Sequence, residues 1–222
     1  VSSSDKVEKP QPSNIRNPIG GRDRLLKAAL RLGEKHRSIS NIGLRELARE
    51  AGMHHTAIYR HFQSIDDIAL ALVELLASEL RAELQLAAKA FGGNTQDMIR
   101  ASTQHYFNYV SEHPLGVIFC AREIHGSLPS LRRALQSMLD DFALDRAEDL
   151  SKLGQNDSLP NFETLLILTR LIAQHTLFAA LDYLEEPKDR ERIVEQTIIF
   201  VGWLIEGANS YSNPKITQTP KA

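Results

Sequence analysis

Seventeen residues near the start of the chain hold an unusual density of groups suited to polyanions: Arg45, His54, His55, Thr56, Tyr59, Arg60 and His61, with Ala57 among them. Arginine presents a planar fork of donors that matches guanine O6 and N7, and a methyl such as that of Ala57 suits a thymine. Arg45, His55, Thr56 and Arg60 are therefore the base-edge candidates, and Tyr59 and His61 suit phosphates that set register. The neighbouring imidazoles raise a metal question. Adjacent His54 and His55 point apart on a helix, and no carboxylate or cysteine joins them at ligand spacing, so no metal site is expected. Imidazoles that charge as pH falls toward ~6.5 would instead strengthen binding to DNA in mild acid.

A second set of polar groups interrupts apolar runs in the remainder of the chain. Tyr106, Phe107, Val110, Phe119, Phe142 and Phe178, with Arg122, Glu123, Arg170 and Gln174, are candidates for lining a ligand cavity. Polar groups on otherwise apolar helices either line a cavity or pair with one another. Gln174 and His175 fit a subunit seam equally well.

These groups need elements to hold them. From Leu44 to Phe62 the text LRELAREAGMHHTAIYRHF reads as two short helices around a turn at Gly52. Leu44, Leu47, Ala48 and Ala51 share one buried face, and Ile58 and Phe62 do the same on the second helix. His55, Thr56, Tyr59 and Arg60 are left pointing outward. A short polar helix on a small apolar scaffold is what a helix-turn-helix offers the major groove. A first helix over Gly21–His36 completes the head. Gly43 takes the N-cap of the second helix, with Glu46 as half of a capping box. Ser64 followed by Asp66 and Asp67 opens a long helix that runs toward Phe91 and the Gly92-Gly93 break and joins head to body as a lever.

The body reads as all-helical, with further helices over Asn94–His113, Leu115–Ile124, Pro129–Lys152, Phe162–Leu184 and Arg190–Asn209. The last two are apolar on more than one side, and a second copy of the chain is the simplest cover. The expected architecture is all-α: a three-helix helix-turn-helix head and a larger body whose last two helices, about 162–184 and 190–209, form a four-helix-bundle homodimer interface. The expected divisions are 1–19 as a flexible arm, 20–66 as the DNA-binding head, 67–210 as the ligand-binding and dimerisation body, and 211–222 as a flexible tail.

Charge supports this division. The chain of 222 residues has a net charge of −2, yet residues 1–62 hold 12 Lys and Arg against 6 Asp and Glu, leaving the rest acidic. A basic head on an acidic body presents one end to phosphates. No apolar run reaches the ~20 residues of a membrane span, and no leader peptide opens the chain, so no membrane is expected. The single cysteine, Cys120, excludes an internal disulfide and fits a cytoplasmic protein.

The text LRELAREAG, then TAIYRHF, then SIDDIALALV resembles the TetR family of bacterial transcriptional regulators. Within it, the chain looks most like repressors of unsaturated fatty-acid synthesis, through Thr56, Tyr59-Arg60-His61-Phe62, Ala121-Arg122-Glu123, Gly126 and Leu131-Arg132. The resemblance implies a non-enzymatic dimer on a near-palindromic double-stranded operator, with no cofactor and a hydrophobic effector, an acyl thioester by the closer likeness. Two departures stand out: His54 replaces the serine that many relatives carry at the third helix's N-cap, and Ile65 replaces a lysine at the opening of the fourth. A DNA-binding dimer without ligand control is the alternative. A helical-bundle enzyme lacks a Glu-x-x-His pair, a phosphate-binding glycine loop and a nucleophile with its base.

Overall fold

The computed structural model describes residues 20–90, 95–153 and 160–212. The expected arm over 1–19, the Phe91–Gly93 break and nearly all of the expected tail lie outside the described residues. Among the described residues there are nine α-helices, two short 3-10 turns and no strand.

The head is built from α1 (Gly21–His36), α2 (Leu44–Glu50) and α3 (His55–Ile58). Leu25, Leu26, Ala29 and Leu32 of α1 recur at helical spacing and are buried with Leu47, Ala48, Ile58 and Phe62 in one core. Arg37 ends α1 in the left-handed conformation, φ 61°. Gly52, at φ +65°, makes the turn after α2, where glycine adopts that backbone without steric cost. Glu46 does not close a capping box. Its carboxylate instead lies 3.0 Å from His36 Nε2, stapling α2 to the end of α1.

Ser64 caps α4 (Ile65–Ala90) as its sequence predicts. The Asp67 amide donates to Ser64 Oγ at 3.1 Å, and the Ser64 amide donates to Asp67 Oδ2 at 3.2 Å, a reciprocal box. With 26 residues, α4 is roughly 39 Å long. Its first turns bury Ile68, Ala69 and Leu72 in the head's core, which makes head and lever one packed unit.

The body adds α5 (Thr95–Glu112), α6 (Pro114–Glu123), α7 (Pro129–Leu153), α8 (Phe162–Glu185) and α9 (Arg190–Ser212). Pro114 occupies the first turn of α6, where its missing N–H costs nothing. Helices α4, α5, α7 and α8 surround a common interior, and α9 packs on α5 and α8. Both terminal guanidinium nitrogens of Arg100 donate to Glu195, at 2.5 and 3.2 Å, tying α5 to α9. Helix α8 is long and apolar enough to cross a membrane by length and composition, contrary to the expectation from apolar runs. Isolated polar residues such as Thr169 and Arg170 break the runs without lowering the average much.

Candidate DNA-binding surface and effector cavity

Helix α3 is a single turn, shorter than the periodicity suggested. It is prolonged to Phe62 by tighter bonds from the Arg60 amide to the Ala57 carbonyl (3.3 Å) and from the His61 amide to the Ile58 carbonyl (2.9 Å). Burial of Ile58 and Phe62 turns the opposite side to solvent. Arg45, His54, His55, Thr56, Tyr59, Arg60 and His61 are all exposed, and Ala57 is half-buried. Among the described residues, neither Arg45 nor Arg60 makes an ion pair, so both forks remain available for a polyanion.

Four of these residues, His54, Thr56, Tyr59 and His61, carry local structure as well. His54 Nδ1 lies 2.8 Å from Thr56 Oγ1 and accepts from the Thr56 amide at 3.5 Å, so imidazole replaces the usual serine as helix cap. The Thr56 hydroxyl is therefore held rather than loose. His61 sits against the start of α1: a Cβ on Gly21 would fall 2.8 Å from His61 Nε2. Arg22 of α1 stands over the Phe62 ring at 5.5 Å. Tyr59 accepts a bond from the Gln63 side chain through its backbone carbonyl at 2.8 Å, and the residue is 49 % exposed.

The body holds a partly open cavity of about 170 Å³, walled by side chains of α4 to α9. Leu80, Leu84, Val117, Leu139, Ile172 and Leu177 make most of its wall apolar. Tyr106 donates to the Thr176 carbonyl at 3.2 Å across the interior. Burial pushes the Tyr106 and Tyr109 phenols well above their ordinary range, so both stay neutral donors. Burial likewise pushes the Cys120 thiol up to about 12. At the α7 end Arg146 and Asp149 reach the cavity, 2.7 Å apart, and Lys152 stands 3.6 Å from the same carboxylate.

Of the ten ligand candidates, Tyr106 and Phe142 line this cavity. The other eight lie elsewhere, for identifiable reasons. Phe107 and Val110 fill a separate core where α5 meets α8 and α9, with the Phe107 ring 4.8 Å from that of Tyr183. Phe119, Arg122 and Glu123 face a small cleft beside Gly33 and Arg37 of the head. Arg170 reaches outward to Asp140 at 2.7 Å. Gln174 and Phe178 share the exposed side of α8 with Ile167 and Leu171. The stripe through Met138, Leu139, Phe142, Arg146, Asp149 and Leu150 was the signal overlooked: an i, i+3/i+4 row that begins apolar and ends in a charged pair.

Residues 25–72 match the model of bacterial regulatory proteins of the tetR family. Those residues are a TetR-family DNA-binding head. The rest of the chain shares the fold of solved regulators at low identity. Escherichia coli NemR in its reduced form is 22 % identical and superposes with a TM-score of 0.66, covering 84 % of this chain and 98 % of that one. Bacillus subtilis FadR, solved in complex with stearoyl-CoA, gives 0.68 at 13 % identity over 83 % of this chain and 97 % of the other. Thermus thermophilus FadR, a TetR-family repressor in complex with lauroyl-CoA, gives 0.61 at 19 % identity over 90 % and 98 %. The described residues thus share the all-α fold of these proteins.

Proposed function

We propose that this protein is a dimeric transcriptional repressor of the cytoplasm that binds a near-palindromic operator and leaves it when a hydrophobic small molecule fills the body. The carrying observation is one covalent unit that joins a TetR-type head to an apolar cavity of about 170 Å³ through a continuous α4. Arg45, His55, Thr56, Ala57 and Arg60 read base edges in this account, and His54, Tyr59 and His61 set the register on phosphates.

A second copy covers α8 and α9. Ile167, Leu171 and Phe178 on α8, with Ile199 and Trp203 on α9, are 45–71 % exposed and recur on one side of each helix. So much apolar side chain facing water on two adjacent helices supports a twofold four-helix seam. The same seam accounts for the membrane-like apolarity of α8 without a bilayer.

Effector chemistry follows from the cavity wall: an apolar body in the interior and a polar end at Tyr106, Tyr109 or Arg146. The acyl-CoA complexes of the two FadR proteins support an acyl thioester. The test is a gel-shift titration on a duplex selected in vitro, with lauroyl-CoA and stearoyl-CoA added at micromolar concentration. Release by either supports the full reading. A complex indifferent to both, but intact, would make the body a dimerisation module that ignores these thioesters. Failure to retain any duplex would overturn the assignment.

A further inference from the structure

Hydroxyls on the cavity wall divide into two groups. Three are spent on backbone carbonyls: Tyr106 donates to Thr176 at 3.2 Å, Thr169 to Ala143 at 2.8 Å and Thr176 to Ile172 at 2.9 Å. The other three, on Ser102, Thr103 and Tyr109, all belong to α5 and make no hydrogen bond among the described residues. Tyr109 is the least exposed of them, at 5 %. A buried donor without an acceptor is costly to the fold, and a molecule that brings the acceptor removes that cost.

The Tyr109 ring is held in place. It stacks on the ring of His113 at 4.4 Å, and His113 Nδ1 stands 3.9 Å from Glu79 Oε2 on α4. Burial, then the nearby Glu79 carboxylate, keeps the phenol well above its ordinary range, so the hydrogen stays on the oxygen. The other end of the cavity differs. Among the described residues, Arg146 and Asp149 are the charged members of the wall; they pair at 2.7 Å, and their side chains are 25 and 30 % exposed. They flank Leu150, which shares a core with Ile99, whereas Tyr109 and Val117 belong to a different core. Ile99 and Tyr109 both line the wall and lie ten residues apart on α5, so the cavity extends roughly 15 Å along that helix. It runs from a charged pair near solvent to a neutral donor inside. A plain chain whose methyl end reached Tyr109 would leave the phenol desolvated and unpaired. Sites built to pair with a polar group discriminate strongly against the analogue that lacks it.

We propose that Tyr109 is a specificity-determining residue of the cavity, its hydroxyl donating to an uncharged carbonyl oxygen on the end of the effector remote from Arg146 and Asp149. The effector class is then a hydrophobic chain oxygenated at both ends, an oxo-acyl compound in preference to a plain acyl one. Plain chains enter with lower affinity. This rests on reading the cavity as the effector chamber, and it adds the chemistry of the effector's buried end.

The test uses the intact protein without DNA, so its outcome is separate from that of the gel shift. Methyl laurate and methyl 11-oxododecanoate, equal in chain length, are titrated by calorimetry into wild type, Tyr109→Phe and Tyr106→Phe. One completed buried hydrogen bond is worth roughly a factor of ten, so wild type is expected to bind the oxo ester about tenfold more tightly. Tyr109→Phe keeps the ring and its stack on His113; it should bring the two esters within twofold of each other while leaving methyl laurate unchanged. Tyr106→Phe removes a donor already spent on Thr176 and should keep the preference. Equal affinities in wild type, a preference that survives Tyr109→Phe, or one that Tyr106→Phe abolishes as completely, would overturn the proposal and leave the chamber standing. Binding of neither ester would overturn the chamber and the proposal together.

Discussion

Arg60 follows Thr56 by four residues on the exposed side of the head, with its guanidinium free of ion pairs among the described residues. A fork held on a rigid turn discriminates between bases, whereas one on a mobile loop mainly adds charge. Arg60→Ala should therefore weaken a selected operator by about 1–3 kcal/mol more than it weakens random duplex. Equal losses measured on both duplexes would make Arg60 a phosphate clamp. Cys120 gives a second residue-scale prediction. With its thiol pushed up to about 12 by burial, its thiolate fraction at pH 8 should be roughly three orders of magnitude below that of an ordinary cysteine. Maleimide should label the folded protein slowly and the urea-unfolded protein at once; fast labelling of the folded protein would place Cys120 at an open surface. His54 shows how far a single residue is legible in sequence: its place at the cap comes from the family resemblance, but its bond to the Thr56 hydroxyl depends on a rotamer that spacing does not fix.

At the scale of elements, the cap of α4 is the joint on which head and body depend. Ser64→Ala should destabilise the head by about 1 kcal/mol, read as a lower urea midpoint by circular dichroism. The backbone N–H of Gln63, then the Ser64 hydroxyl, hold the Asp67 carboxyl below the usual carboxylate range. A depressed carboxylate stabilises the fold above its unfolded pKa and loses that contribution as pH falls through its folded value. Thermal stability of the wild type should thus drop below about pH 4 more steeply than that of Asp67→Asn. Parallel slopes would show that the box contributes nothing to acid sensitivity. Helix limits were legible because caps and breakers are local: Gly21–His36 and the Ser64 start follow from residues within one turn. Partners across elements were not. Glu46 stands where a capping box wants it, yet a histidine ten residues earlier competes for its carboxylate. The cavity eluded the reading for a related reason, since Phe107 and Phe142 have the same apolar character and only the packing of α8 and α9 decides which one meets empty space.

For the whole molecule, the claim is that two heads are held at a fixed separation by a shared seam. Trp203, 71 % exposed on α9, and Ile199 one turn before it lie on the apolar side proposed for that seam. Trp203→Asp should convert the protein to monomer at micromolar concentration in sedimentation velocity, with operator binding lost while random-duplex binding at low salt persists in part. A monomeric wild type would contradict the seam itself. The basic head and acidic body also predict that association with DNA weakens steeply with salt through contacts confined to residues before about Gln63. The most direct measurement is selection of duplexes from a random library by the intact protein, followed by sequencing. Two heads that insert α3 into successive major grooves predict enrichment of an inverted repeat whose half-site centres lie roughly 34–36 Å, or a multiple of that, apart. A library that emerges unenriched, or enriched only in a single unpaired half-site, would contradict the account.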